Sequence, residues 1–251
     1  MHKNLPDVAA KWELEEKAEV NRVKVWTKAK KLETTRDTKP HQQYFTADGI
    51  RQPGVTTITG ILDKPGLVIA ANKLGMQGIN ASDHWRGLAK IGQLAHKLIE
   101  HQLKGTDPAE DLKDFTENEQ RRAQNSTARF QEWLSRRDVE YVSSELQLVS
   151  EKYRFGGTGD ALLRVDGVLS YVEFKTGGIF LEAELQGAAN AALIDENGYG
   201  PVEQIVLLGL PRGEDEAFSE KTLQEWTLQM KMFLTMLEIY HIRRTLEKTV
   251  R

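Results

Sequence analysis

The sequence contains no cysteine. Disulfides, thiolate zinc sites, iron–sulfur clusters and a cysteine nucleophile are excluded together, and a reducing, cytoplasmic compartment is the expectation. The chain also lacks any apolar run near the roughly 18 residues that a membrane-spanning helix needs. Its opening Met-His-Lys-Asn-Leu-Pro-Asp has none of the apolar core of a signal peptide. Membrane insertion and Sec-type export are therefore not expected. No Gly-Xaa4-Gly-Lys-Ser/Thr phosphate loop occurs, so ATP-driven work would fall to a separate protein. An excess of charge of one sign is missing too: 34 Lys and Arg stand against 37 Asp and Glu. A nucleic-acid partner would have to be attracted by a local patch, not by the field of the whole molecule.

With 39% hydrophobic and 28% charged residues over 251 positions, the composition is that of a folded protein, not a disordered one. No internal repeat or low-complexity linker divides the chain, so one domain spanning 1–251 is expected. Residues 1–136 read as mainly helical, and 137–251 as a sheet with flanking helices. Asp7 to Lys31 has a helical pattern, and Arg22 to Lys31 holds five basic residues and no acidic one around Trp26. That face is either a solvated helix surface or a phosphate-tracking one with Trp26 and Lys28 as contacts. Gln43 to Thr46 is a short strand candidate among turn formers. Val55 to Leu62 reads as a helix capped by Thr56 or Thr57 and ending at a Lys64-Pro65-Gly66 break. Leu67–Leu74 and Trp85–Leu103 read as helices, the second closed by Gly105. Thr116 with Glu119 three residues on is a capping box opening a helix to Arg136.

The period then changes. Val139–Val149, Arg154–Val165 and Val168–Lys175 are strand candidates, followed by a helix Leu181–Leu193, a strand Gln204–Leu210 and a helix from Ser219 to about Leu246. Asp166-Gly167 between two strand patterns signals a type I′ hairpin, because that turn needs positive φ at both central residues. With those two residues as the turn, Asp160 stands directly opposite Glu173. The two-residue period puts Asp160, Glu173 and Lys175 on one face, and Ala161, Leu163, Val165, Val168, Val172 and Phe174 on the other. One face is expected to be core and the other chemistry. Opposed carboxylates destabilise a ladder unless a cation lies between them, and either Lys175 or a divalent metal would supply it.

These residues carry a resemblance. Phe155-Gly156-Gly157-Thr158-Gly159-Asp160, followed by Tyr171-Val172-Glu173-Phe174-Lys175-Thr176-Gly177, resembles the PD-(D/E)XK phosphodiesterase motif in its RecB-type form. Gly92-Gln93-Leu94-Ala95-His96 is similar to the helix in which such nucleases carry a metal-binding histidine. Glu145 resembles their upstream acidic residue, and Gln186 the glutamine of the following motif. The chain departs from the pattern at Asn190, where a tyrosine usually stands four positions after that glutamine. Pro53-Gly54-Val55-Thr56-Thr57-Ile58 is similar to a segment of stand-alone bacteriophage and mitochondrial genome-maintenance exonucleases of this group.

The resemblance implies a mixed α/β, restriction-endonuclease-like core and a metal-dependent DNA nuclease. Exonuclease action without strong sequence specificity is expected, in replication, recombination or repair, within a bacterial or phage-infected cell. Asp160, Glu173 and the backbone carbonyl of Phe174 would hold Mg²⁺ or Mn²⁺ with His96 completing the set, an imidazole favouring Mn²⁺. Lys175 would position the attacking water, Glu145 support the metal shell, and Gln186, Thr176, Trp26 and Lys28 contact DNA. A helicase, recombinase or single-strand binding protein would be a separate partner. Two rivals stay open: a catalytically inert DNA-binding or assembly module, and a cation-binding structural hairpin without a nucleic-acid role.

Overall fold

The computed structural model describes residues 42–249; the expected helix Asp7–Lys31, with Trp26 and Lys28, lies outside them. A small antiparallel hairpin, β1 (Tyr44–Phe45) and β2 (Arg51–Gln52), comes first. Five helices follow: α1 (Val55–Thr59), α2 (Pro65–Met76), α3 (Ala81–Lys104), α4 (Ala109–Leu112) and α5 (Glu117–Leu134). Then come β3 (Val139–Ser150), β4 (Phe155–Val165), β5 (Val168–Thr176), α6 (Leu181–Glu196), β6 (Gln204–Leu210), β7 (Ser219–Leu223) and α7 (Thr227–Thr249).

The main sheet has the order β3-β4-β5-β6-β7, antiparallel except for the β5–β6 pair. That parallel pair needs a crossover, and α6 supplies it. This is the mixed α/β arrangement, a central mixed sheet flanked by helices, that the motif resemblance implies. Asp166 and Gly167 take φ of 51° and 84°, and the β4–β5 rungs run from Val165↔Val168 to Ala161↔Val172 in the register that this turn imposes.

Both faces of the sheet are core, which corrects the expectation of one buried and one chemical face. Ala161, Leu163, Val172 and Phe174 pack under Ile99 of α3 and Phe130 and Trp133 of α5. Leu162, Leu169 and Tyr171 pack under Ala183, Ala191 and Ile194 of α6. A strand buried on both sides needs a continuous apolar run, and burying each large side chain contributes about 1.5–3 kcal/mol. Polar residues in such strands therefore stand out.

The helix ends follow local chemistry. Thr116 and Glu119 form the reciprocal capping box at α5, Asn80 caps α3 through Ser82 and Asp83 N–H, and Gly105 closes α3 at φ 63°. One expectation fails here and one shifts. Neither Thr56 nor Thr57 caps α1; Gly54 is its N-cap, and its carbonyl accepts from Thr57 and Ile58 N–H. The boundary between two helices at Lys64-Pro65-Gly66 is present, but its bounds shift: α1 ends at Thr59, and α2 takes in Pro65 and Gly66, because a first-turn position needs no N–H donor. A third correction concerns Ser219–Leu223, expected as helix and found as edge strand β7. Tertiary partners decide it: Glu220 receives both Nη2 contacts of Arg137 at 2.8 Å, and Lys221 reaches Glu184 at 2.7 Å. A short charged strand also protects an open edge. No described helix is long and apolar enough to cross a membrane.

Candidate metal centre and its lysine

The candidate site lies where the β4–β5 ladder ends. Ala161↔Val172 is the last rung, and one residue beyond it Asp160 Oδ2 accepts the Phe174 N–H at 2.8 Å. The side chain takes the place of a missing rung. Gly157 and Ala161 are four residues apart, a spacing that keeps a regular strand on one face. Yet a Cβ on Gly157 would meet Asn190 and Leu193 of α6, whereas Ala161 sits in the core under α3 and α5. The alternation of β4 is therefore broken around Gly159–Asp160. On the neighbouring strand, Ser144↔Ala161 and Leu146↔Gly159 are rungs, and Glu145 between them has φ of 51°. A non-glycine residue held in the left-handed region is uncommon and costs about 1–3 kcal/mol, a pattern that concentrates at functional sites.

This double irregularity turns Asp160 toward α3. His96 Nδ1 lies 3.3 Å from Asp160 Oδ1, and the imidazole stands edge-on to the Phe174 ring at 5.9 Å. Gly92 lets α3 come this close, since a Cβ there would sit 2.8 Å from Thr176 Oγ1. His96, Glu145 and Asp160 each place one ligand atom within 4.8 Å of the others. One imidazole and two carboxylates form a donor set that fits a divalent cation.

Glu173 and Lys175 turn the other way, toward α6. Glu173 is buried, only 4% exposed. Its carboxylate accepts from Lys175 Nζ through Oε1 and from the Tyr171 hydroxyl through Oε2. Lys175 Nζ also donates to Gln186 Oε1 at 2.7 Å, and Gln186 Nε2 donates to Thr59 Oγ1 at 3.1 Å. Asn190, one helical turn after Gln186, donates to Tyr171 Oη at 2.9 Å. So the residues quoted from the motif gather at one place, but as two groups: His96, Glu145 and Asp160 on the α3 side, and Glu173, Lys175 and Gln186 on the α6 side. The Phe174 N–H caps Asp160 while its ring lies in the core against Phe130 at 5.0 Å. Thr176 ends β5 against α3.

The electrostatics separate the groups further. Burial pushes the Glu145 carboxyl up, the Asp160 charge adds to it, and the group rests at about 7 although the residue as a whole is exposed. For Asp160, burial is outweighed by His96, Lys175 and the Phe174 N–H, which together hold it below the usual carboxylate range. Burial works against a charged His96, but Asp160 beside it leaves the imidazole above its ordinary value. Glu173 is raised by burial, with Lys175 opposing and Asp160 adding. Lys175 would be lowered by burial, yet Glu173 and Asp160 hold it above the normal lysine range.

Sequence reasoning missed Tyr171 and the place of Asn190. Tyr171 is two residues before Glu173 on the same face, and that two-residue spacing in one strand was the available signal. Asn190 stood out in the sequence only as a departure from the resembled pattern.

No protein-family model and no curated protein matches this sequence. Among solved structures, the chain is similar to a candidate exonuclease from Eubacterium rectale, at 13% identity and a TM-score of 0.43 over 61% of this chain and 65% of that one. It thus spans just under two thirds of that protein's length. It is also similar to an alkaline exonuclease from Laribacter hongkongensis, at 16% identity and a TM-score of 0.30 over 63% of this chain and 86% of that one.

Proposed function

We propose that this protein is a metal-dependent deoxyribonuclease, acting as an exonuclease on DNA phosphodiester bonds without strong sequence specificity. The observation that carries the reading is the convergence of His96, Glu145 and Asp160 beside an ion-paired Lys175, at a break in the sheet. His96, Glu145 and Asp160 would hold Mg²⁺ or Mn²⁺, with Glu173 in the same anionic pocket. A divalent ion bound there would lower the pKa of a water and offset charge on the phosphate oxygens.

The protein's own groups do the rest. Lys175 carries three N–H donors, of which Glu173 and Gln186 take two, so the third is available to orient a water or a phosphate oxygen. Glu173 fixes the ammonium in place and keeps it charged. Asp160, anchored by the Phe174 N–H through one oxygen, presents the other toward His96. Thr176 and Gln186, which adjoin the two groups of the site, are assigned as substrate contacts, and Trp26 and Lys28 are assigned the same role on the strength of their sequence pattern. Phosphate contacts position a strand but do not read its bases, which supports backbone recognition over sequence readout.

The test is cleavage of end-labelled and circular DNA, single- and double-stranded, with Mg²⁺, Mn²⁺ or EDTA. Wild-type protein is expected to degrade linear DNA with either metal and to spare circles. Asp160→Asn and Lys175→Ala are expected to abolish cutting while leaving the circular-dichroism spectrum unchanged. Binding of DNA without cutting under any condition would instead support the inert binding module.

A further inference from the structure

Beyond the last β4–β5 rung, the two strands are joined through a phenol. Tyr171 is fully buried, and its hydroxyl meets three groups at once. It donates to Glu173 Oε2, accepts from Asn190 Nδ2 at 2.9 Å, and lies 3.4 Å from the Asp160 backbone N–H. A phenolic oxygen has one proton and two acceptor sites, so these partners match its full capacity. Two glycines make the room. A Cβ on Gly159 would come within 3.1 Å of the Tyr171 ring, and one on Gly157 within 2.4 Å of Asn190 Oδ1. Part of the Gly156-Gly157-Thr158-Gly159 run is thereby explained by what it admits, not by a turn.

The location matters more than the bonding. Asp160 and Glu173 sit on adjacent strands where the backbone ladder has stopped, and their like charges oppose one another. The one tie that remains between the strands there, the Phe174 N–H to Asp160 Oδ2, holds the Asp160 carboxylate but leaves the Glu173 carboxylate unfixed. Tyr171 bonds to the carboxylate of one and the backbone of the other. As a neutral group it does this without cancelling the negative potential that a cation would need, whereas a second lysine would cancel it.

We propose that Tyr171, seated by Asn190, is a positioning residue that fixes the Glu173 carboxylate relative to the Asp160 backbone and so pre-forms the metal pocket. This rests on the metal-dependent reading above. Partners that hold metal-binding side chains in place are typically worth about 10–100-fold in metal affinity.

Tyr171→Phe removes one oxygen and keeps the ring, so it separates positioning from packing. Asn190→Ala is the second variant; it deletes the group that seats the phenol and places a good helix former in α6. Three quantities are measured on the full chain: Mn²⁺ affinity by electron paramagnetic resonance, thermal unfolding in EDTA, and kcat and KM on a DNA oligonucleotide. Tyr171→Phe is expected to weaken Mn²⁺ binding by about 10–100-fold and to lower kcat while leaving KM for DNA unchanged. Asn190→Ala should do the same to a smaller extent. Reduced thermal stability with Mn²⁺ affinity within about twofold of wild type, well short of the about 10–100-fold expected for a positioning partner, would make Tyr171 an ordinary core residue and overturn the proposal. Failure of both variants to fold would overturn it equally, by placing the residue's role in stability. Wild-type protein that binds no Mn²⁺ would remove the metal-dependent reading itself, whereas a wild type that binds and cuts alongside variants that match it would remove only the role of Tyr171.

Discussion

On the α6 side of the site, Glu173 is met by a lysine, a phenol and an amide; on the α3 side, Glu145 and Asp160 share a single imidazole as their nearest cationic partner. The first group is completed by folding. Its charges are buried and matched, so removing one member leaves the other stranded in a poorly solvated place. The second group is left with excess negative charge, and the Asp160 charge adds to the burial that raises the Glu145 carboxyl. A site that must accept a cation benefits from both: a rigid paired wall, and an opposing wall whose repulsion only a cation relieves.

The largest expected effect tests the matched side. Lys175→Met should destabilise the metal-free protein by about 3 kcal/mol, the lower end for a broken buried pair, since the lysine side chain is 30% exposed. Adding Glu173→Gln should restore part of that loss. Urea denaturation in EDTA measures both, and an unchanged midpoint for Lys175→Met would mean that the pair does not hold this side together.

The next effect tests the unmatched side. Mn²⁺ at 100 times its dissociation constant should stabilise the wild type by about 2.7 kcal/mol, with a dependence on pH to which Glu145 and His96 both contribute. Its pKa is raised in the folded state, so between the ordinary carboxylate range and about 7 the native metal-free chain keeps a proton that the unfolded chain has released. The stability contributed by this group falls as pH rises through that window. Metal must displace the proton below about 7, so the Mn²⁺ increment should be smaller at pH 6 than at pH 8. Thermal unfolding with and without Mn²⁺ across that range gives the answer. Glu145→Gln should reduce the dependence to the part that His96 sets, and a wild-type increment that is already flat would end the contrast between the two sides.

The smallest effect is a control placed away from both. Thr116→Ala removes half of the capping box of α5 and should cost about 1 kcal/mol in EDTA. The Mn²⁺ increment should stay as in the wild type. A change in that increment would show that the site responds to general loosening and not to its own charges.

Much of this was legible in the chain because the signals are local. A type I′ turn needs two residues with positive φ, and Asp166-Gly167 supplies them, so the β4–β5 register followed. Thr116 and Glu119 bond to each other's backbone within one helical turn, which makes the capping box readable at a distance of three residues. Ser219–Leu223 was not legible. Nothing within it favours a strand, and its partners Arg137 and Glu184 lie far away in sequence.

The site divides in the same way. Sequence by itself determined which residues are chemically able to act: two carboxylates and a lysine at strand spacing, and a histidine four residues after a glycine on an amphipathic helix. Residue type and period carry that information without any fold. Tertiary structure decided how they are grouped. The break in alternation at Asp160 depends on the left-handed backbone of Glu145 in the neighbouring strand, and on what α3 and α6 press against each face. Through that break Asp160 joins His96 and Glu145, while Glu173 and Lys175 join Gln186 and Asn190. The two-residue period assumes an unbroken ladder, and only contacts between distant segments can interrupt one.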